Sequence, residues 1–476
     1  MQSQTTTQLP QELIDTILEI LWESSRDIRS LRRCALSARC FLSTARRFIY
    51  HTIHLRGVLS KDGRVPVMEE FERLLKSSPY LIEFIVELIL DVDVGISPYW
   101  YDEARLEALP LVSILSQMHN LEKISIGKDW GLTSLPAAHL QALLDVMAAP
   151  KIQAIVLDHI HFTHVENLWG FCERIAEGRN LRELRLEVVV ESLDPVTSAF
   201  YTSSSPQSMI SRRPNAPAPI YIDTLSFTQG AEWDWPQGEP SFFDWALRPG
   251  SPLLFTALRD LTVSEVSNDH FEDFVHFLDA TKKTLANLCI VETQCSDPFP
   301  LILSGFEQLK VITSVIRSPP SDELVVGWIL QRWSIIIRES RGLKLAAFVI
   351  LIEPPKDILS QNYFLGSHLE MSWSSLGLAL TVEMVSGLNL HIRVKSFHSR
   401  ETEAHHIEQC FPELRYYYGR SELIVEMLTV RENRQEEDEV WEYKGTPNGQ
   451  MTRKKTLEEL LPLPHIGKIG REIMYR

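Results

Sequence analysis

The chain has few cysteines and an excess of acidic residues, and both properties exclude functions. Its six cysteines lack the paired spacing of a metal-binding or redox motif, which indicates free thiols in a reducing compartment. Asp and Glu number 63 against 47 Lys and Arg, giving a net charge of −16. Nucleic-acid binding needs concentrated basic residues. We therefore expect a cytoplasmic or nuclear protein without a nucleic-acid partner.

Long hydrophobic runs are also missing. The closest candidate, residues 345–352, is far shorter than the roughly 18–20 residues needed to cross a bilayer. Residues 1–8 lack the basic and apolar regions of a secretory signal. The sequence therefore predicts no membrane partner and a disordered segment at residues 1–8.

No motif of a known enzyme class is present. The sequence has no glycine-rich phosphate loop, no His-Glu-x-x-His and no Gly-x-Ser-x-Gly. Its one metal-like cluster contains Asp158, His159 and His161, and on a strand the two histidines would share a face. Such histidines more commonly lie in water at a strand end. We expect a non-enzymatic protein with no metal and no cofactor.

Three short helical patterns occupy the first 55 residues. Pro10 suits the first turn of a helix, and apolar residues follow at helical spacing up to Leu21. A break at residues 24–27 precedes a second pattern, and a third helix is expected over about 42–50. A module this small buries little surface by itself. Part of its apolar surface should therefore pack on the next domain or receive a partner.

The order of apolar residues in this segment resembles an F-box. In F-box proteins the module binds the small Skp-type adaptor of SCF ubiquitin ligases, and through it a cullin. The resemblance covers about a tenth of the chain, and Phe41 stands where many F-boxes have tryptophan. It implies an adaptor-contact set of Leu9, Pro10, Leu13, Ile14, Leu18, Leu31, Cys34, Ala35, Leu36 and Phe41.

A second pattern, apolar-x-x-apolar-x-apolar, recurs along most of the chain. Full copies occupy residues 85–90, 121–126, 152–157, 181–186, 222–227, 258–263 and 285–290, and degenerate copies occupy 309–312, 345–350 and 414–417. The segments are short and rich in β-branched residues, which predicts strands. Helical patterns lie between them, as at 138–147 and 271–278. Stacked units of this kind form parallel strands that line an arc, with helices outside.

This second pattern resembles an irregular leucine-rich-repeat solenoid, most strongly over residues 85–290. An ordinary α/β domain that uses similar strands remains an alternative. The predicted fold class is α/β, with an F-box at residues 9–55 and the solenoid at 56–430. Loop insertions are expected near 192–220 and 230–250, and a charged, mostly disordered tail at 431–476.

Side chains alternate along a strand, so the positions between the apolar triplets point away from the core. They are mostly polar and form a candidate surface for a target protein. Trp233 and Trp235, in the second insertion, are further candidates because tryptophan anchors interfaces, although these rings could instead pack on the flank of the solenoid. The strand candidates are Lys123, Asp158, Glu183, Arg185, Glu187, Thr224, Asp260 and Thr262.

Together these patterns predict a substrate-recognition subunit of an SCF-type ligase, which binds the adaptor through one module and an unknown target protein through the other. Two alternatives stay open. One is a ligase-independent scaffold that keeps the F-box-like helices as a cap. The other is an enzyme with a site on the concave face.

Overall fold

The chain is a mixed α/β protein with two compact units, Met1–Leu254 and Phe255–Arg476. Each unit contains parallel strands that alternate with helices. A computed structural model describes residues 10–25, 27–58, 65–93, 107–127, 132, 135–162, 164–190, 219–229, 239–264, 266, 270–292, 301–317, 324–340, 343–353, 372, 375–376, 379, 389–396, 423–429, 441–443 and 451–453.

The first unit opens with three helices, α1 (Gln11–Ser25), α2 (Ile28–Ser37) and α3 (Arg39–Ile49). Their shared core consists of Ile14, Leu18, Trp22, Leu31 and Ala45. The three α1 residues are spaced four apart, so they lie on one side of that helix. Helix α1 extends to Ser25, two residues into the break predicted at 24–27, and α2 begins at Ile28 after its capping residue Asp27. The third helix begins at residue 39, three residues earlier than predicted.

The helices continue directly into the sheet. Strand β1 (Thr52–Val58) contains the predicted domain boundary at residues 55 and 56. After β1 come helix α4 (Pro66–Ser77) and a 3₁₀ segment (Pro79–Phe84). The guanidinium of Arg46, on α3, lies 5.4 Å from the ring centroid of Tyr80 in the 3₁₀ segment. This contact attaches the helical module to the structure that follows it.

The remaining strands of the first unit are β2 (Glu87–Asp93), β3 (Lys123–Ile126), β4 (Ala154–Phe162), β5 (Glu183–Val190), β6 (Ile220–Tyr221), β7 (Thr224–Gln229) and β8 (Leu253–Leu254). Strands β1, β2, β3, β4, β5 and β7 pair in parallel in that order, while β6 pairs with β8. The helices are α5 (Leu111–Leu115), α6 (Ala137–Met147), α7 (Val165–Ile175) and α8 (Phe242–Leu247).

The second unit repeats the arrangement. Strands β9 (Asp260–Ser264), β10 (Asn287–Glu292), β11 (Val311–Arg317), β12 (Ala347–Glu353), β13 (Asn389–Ser396) and β14 (Leu423–Thr429) pair in parallel in that order. Its two long described helices are α9 (Phe271–Thr281) and α10 (Leu324–Glu339). Within the predicted tail, β15 (Trp441–Tyr443) pairs antiparallel with β16 (Met451–Arg453), and the rest of the tail lies outside the described residues.

The strand prediction from the repeated triplet is confirmed at nine copies, since each described strand begins two residues after the first apolar residue of its triplet. The copy at 414–417 lies outside the described residues. Strand register places Leu88, Ile124, Ile155, Leu184 and Leu225 in one row across the first sheet. All five are buried. The triplet therefore builds the apolar layer on which the helices pack.

Candidate protein-interaction surfaces

Helix α1 is apolar on two sides, and only one of them is covered. Ile14 and Leu18 are 3% and 0% exposed in the module's core, whereas Leu13, Ile17 and Ile20 are 51%, 51% and 58% exposed. The exposed residues are four and three positions apart, so they form one continuous stripe. We call Leu13, Ile17 and Ile20 the α1 stripe.

Two further apolar side chains are exposed on α2. Leu36 is 88% exposed, and Ile28, in the first turn of the helix, is 38% exposed. Pro10, which precedes α1, is exposed as well. Large apolar side chains exposed in one small module indicate a protein-interaction surface.

The structure divides the predicted adaptor-contact residues into groups. Pro10, Leu13 and Leu36 are exposed, while Cys34, Ala35 and Phe41 are half-buried and pack against the core of the module. Leu9 lies outside the described residues. Ile14, Leu18 and Leu31 are core residues.

This placement separates core residues from exposed ones within the expected contact set. Ile14, Leu18 and Leu31 fill the contact between the three helices, so they support the exposed residues from beneath. Ile17 and Ile20 are not in the expected set, although both are exposed. Their helical spacing from Leu13 could have identified them as members of one row. Ile14 and Leu18 form a second row with the same spacing, so spacing alone does not show which row is exposed.

Hydrogen bonds hold α1 against α3 beneath this surface. The carboxylate of Asp15 accepts from the Thr44 hydroxyl on α3 and from Gln11 Nε2 at 2.8 Å. These two hydrogen bonds, that from Thr44 first, lower the pKa of Asp15 from its ordinary value. Gln11 Nε2 also donates to the Cys40 carbonyl oxygen at 3.2 Å. The orientation of α1 is therefore fixed by polar contacts as well as by its core.

The second candidate surface is the face of the first sheet that points away from the apolar layer. Near its edge Lys123 Nζ lies 2.9 Å from Glu87 Oε1, and the Thr52 hydroxyl donates to Glu87 Oε2 at 2.9 Å. Burial acts to raise the pKa of Glu87, but the charge of Lys123 and these hydrogen bonds outweigh it, and the pKa is lowered. Glu87 is therefore ionised at neutral pH.

A β-bulge interrupts this face in β4. Asp158 and His159 together oppose Glu187 of β5, because the register shifts between Leu157 and Ile160. His159 has φ 58°, a left-handed conformation that is uncommon for residues other than glycine. Its Nδ1 lies 3.5 Å from Glu187 Oε1, and its ring meets that of His161 edge-on at 5.7 Å between centroids. The regular strand expected for the two histidines is thus interrupted at His159, and regular pairing resumes at Ile160.

All eight predicted target-binding residues on strands are described and half-exposed, as a solvated sheet face requires. Lys123, Asp158, Glu183, Arg185, Glu187 and Thr224 share the first sheet, and Arg185 Nη2 lies 3.7 Å from Glu183 Oε1. Asp260 and Thr262 belong to the second unit, where Asp260 accepts a hydrogen bond from the side-chain amide of Asn287.

Beyond Thr262 the corresponding face of the second unit is apolar. Cys289, Val291, Val311, Val315, Ala347, Val349 and Leu351 form a buried cluster. Ser264 and Cys289 lie on the same face as Thr262 by the alternation of side chains along their strands, yet both are buried. The strands of this region carry apolar residues on both faces, a pattern typical of parallel sheets covered on both sides.

Trp233 and Trp235 lie outside the described residues, but the structure describes the end of their insertion. There α8 carries Phe242, Phe243 and Trp245, all buried. Trp245 stacks on Trp169 of α7 with ring centroids 4.8 Å apart and planes 4° apart. The described aromatic residues of this insertion therefore pack on the unit's own helices.

Comparison with protein-family models and with curated proteins finds no match for this chain. Among the helices that the structure describes, none has the length and apolar content required to span a membrane. No set of His, Cys, Asp or Glu side chains in the described ranges is arranged to hold a metal ion. A functional assignment therefore depends on the two surfaces above.

Proposed function

We propose that this protein is the substrate-recognition subunit of an SCF-type ubiquitin ligase. The N-terminal helices bind the Skp-type adaptor, which connects to the cullin, and the repeat-like α/β units bind a target protein. The observation that carries this proposal is the α1 stripe, an exposed apolar row on a helix whose opposite side already forms a core.

The size of the α1 stripe is sufficient to matter for binding. Leu13, Ile17 and Ile20 each keep about half of their side-chain surface in solvent. Full burial of one such side chain contributes roughly 1.5–3 kcal/mol. Covering the exposed half of all three therefore contributes about 2–4 kcal/mol, which corresponds to a factor of about 30 to 1,000 in affinity.

The resemblance to an F-box and the geometry support the same surface. Pro10 and Leu13, from the Leu-Pro start of the pattern, are exposed next to the α1 stripe, and Leu36 is exposed on the next helix. The deeper residues of the pattern, such as Leu18 and Leu31, form the core that holds these helices together. One sequence pattern thus supplies both the fold of the module and its binding residues.

The polar face of the first sheet supports the second half of the proposal. A receptor does not catalyse ubiquitin transfer. Its contribution is proximity, because a bound target is held at high effective concentration near the charged ubiquitin carrier. For that role a half-exposed face with charges of both signs, such as Lys123, Glu183 and Arg185, is suited to a protein target.

The experiment is a binding measurement between the full chain and a purified Skp-type adaptor. The variant L13E/I17E places two charges on the α1 stripe, and we expect it to weaken binding at least about 100-fold. A matched control, I302E/I335E, changes two isoleucines of the second unit that are 53% and 41% exposed. We expect the control to bind like the wild type, and both variants to keep the wild-type circular dichroism spectrum.

Equal adaptor binding by the wild type and L13E/I17E would contradict the proposal. Binding of the adaptor without recruitment of the cullin would instead indicate a scaffold that works apart from the ligase. Co-purification with the adaptor and cullin together separates these outcomes.

A further inference from the structure

The second and third helices have a charge opposite to that of the chain as a whole. Residues 28–49 contain six arginines and no Asp or Glu, within a protein of net charge −16. Three of the six arginines lie on α2 and three on α3.

Three of these arginines lie on one exposed face of α2. Arg29, Arg32, Arg33 and Leu36 are all exposed, and they are separated by three, four and seven positions from Arg29, which places them on one side of the helix. Leu31 lies on the opposite side, in the core. We call Arg29, Arg32, Arg33 and Leu36 the α2 face.

The arginines of the α2 face form no close ion pair within the part of the chain that the structure describes, although the charge of Asp27 acts on Arg33. There, none of Arg29, Arg32 and Arg33 forms an ion pair, whereas Arg174 pairs with Asp145 at 2.7 Å and Arg248 pairs with Asp244 at 2.7 Å. Asp27 precedes the helix, but its carboxylate caps the helix by accepting from the backbone N–H groups of residues 29 and 30 and from a serine hydroxyl. The guanidinium groups remain available to a partner.

We propose that the α2 face binds an acidic protein surface, which the adaptor presents next to the apolar groove that covers the α1 stripe. This inference rests on the proposed function. Guanidinium groups suit such a site because they bind carboxylates in a bidentate geometry and are weakly hydrated. Their charge also accelerates the encounter with an acidic partner over distances of about a Debye length.

One feature favours a protein over a nucleic acid as the occupant. Leu36 is 88% exposed within the α2 face, and a phosphate backbone offers no apolar group to cover it. Arginine beside exposed leucine is instead typical of protein interfaces with an apolar centre and a charged rim.

The test is the salt dependence of adaptor association. Stopped-flow or surface-based kinetics compare the full wild-type chain with R29Q/R32Q/R33Q and with R73Q/R182Q/R248Q, which removes the same charge from exposed arginines elsewhere in the first unit. We expect the α2 variant to associate about 10-fold more slowly at low ionic strength. The difference should shrink to less than about 2-fold in roughly 0.5 M salt, and the control should follow the wild type.

The outcomes separate the two proposals. If the adaptor binds and the α2 variant associates as fast as the control, the inference is overturned while the proposed function stands. If the wild type does not bind the adaptor at all, both are overturned. Binding of a fluorescent single-stranded oligonucleotide at physiological salt, lost in R29Q/R32Q/R33Q, would overturn the acidic-protein assignment in favour of a nucleic acid.

Discussion

A buried ion pair in the second unit gives a quantitative test of how that unit is held together. Arg332, on α10, pairs with the carboxylate of Glu292 at the end of β10, and the two side chains are only 10% and 6% exposed. The hydroxyl of Ser314 lies 3.5 Å from Glu292 Oε2, within reach to donate a hydrogen bond. Burial lowers the pKa of Arg332 to about 10. The guanidinium therefore remains charged at neutral pH.

Replacing Arg332 by methionine keeps an unbranched side chain of about the length of the arginine's apolar stem and removes the charged guanidinium. The carboxylate of Glu292 then stays buried without a counter-ion, which costs about 3–5 kcal/mol of unfolding free energy. Replacing both residues, as in E292L/R332M, removes both charges, and similar pairs elsewhere become neutral to more stable by about 1–4 kcal/mol. The double variant should thus be clearly more stable than R332M, with a large coupling energy in the double-mutant cycle.

The assay is hydrogen exchange of peptides that cover residues 287–292 and 324–339, which reports local opening free energies without requiring the whole chain to unfold in one step. The pH dependence supplies an independent check. An unpaired buried Glu292 has a raised pKa in the folded state, so the defect of R332M should be largest at neutral pH and shrink as acid protonates the carboxylate. A loss below about 1 kcal/mol in R332M, or a double variant as unstable as the single one, would refute the reasoning.

Three further predictions concern the first unit. The charge of Lys123 and the hydrogen bonds of Glu87 lower the pKa of Glu87 despite its burial. The wild type should therefore be more stable than E87Q by a constant amount near neutral pH, and this difference should shrink as the pH falls below 4.5, the ordinary pKa of a glutamate. A difference that grows in acid would contradict this. Because His159 has φ 58°, urea denaturation should find H159G within about 1 kcal/mol of wild type or more stable and H159V less stable by about 1–2 kcal/mol, whereas equal losses would exclude backbone strain. An added Cβ at Gly57 would lie 2.9 Å from Cγ1 of the fully buried Val65, so thermal unfolding should show G57A destabilised by about 1–3 kcal/mol, and an unchanged midpoint would mean that the valine moves aside.

Sequence patterns predicted the strands and helices well in segments where the apolar residues followed a single regular spacing. The triplet located nine strands, and the apolar spacing at 138–147 and 271–278 located α6 and α9 to within three residues at their ends. Local signals sufficed there because each strand buries the same two positions of its triplet against the apolar layer of its own unit. Strand β1 was missed because it follows α3 immediately and lacks a full triplet.

The sites were harder to predict, because they depend on contacts between distant segments. The bulge at His159 results from pairing with β5, whose Glu187 faces two residues of β4, and the sequence of β4 contains no glycine to mark it. Likewise Cys289 is buried in a cluster with Val311 and Val315, which belong to the neighbouring strand β11. Alternation along one strand predicts which side chains share a face, but not whether that face is covered.

The α1 stripe can be compared with the buried apolar cluster of β10, β11 and β12. The comparison explains why apolar residues are exposed on α1. Both segments have adjacent apolar residues in sequence, at 13–14 and 17–18 in α1 and at 288–291 in β10. In a strand adjacent residues point to opposite faces, and in β10 the adjacent residues Leu288 and Cys289 are both buried. In a helix they are about 100° apart, so they make one wide stripe. Three helices can enclose only part of such a stripe, and the remainder, Leu13, Ile17 and Ile20, stays in solvent unless another molecule covers it. The exposed residues therefore follow from the small size of the module, and a protein that binds there as proposed would supply the missing layer.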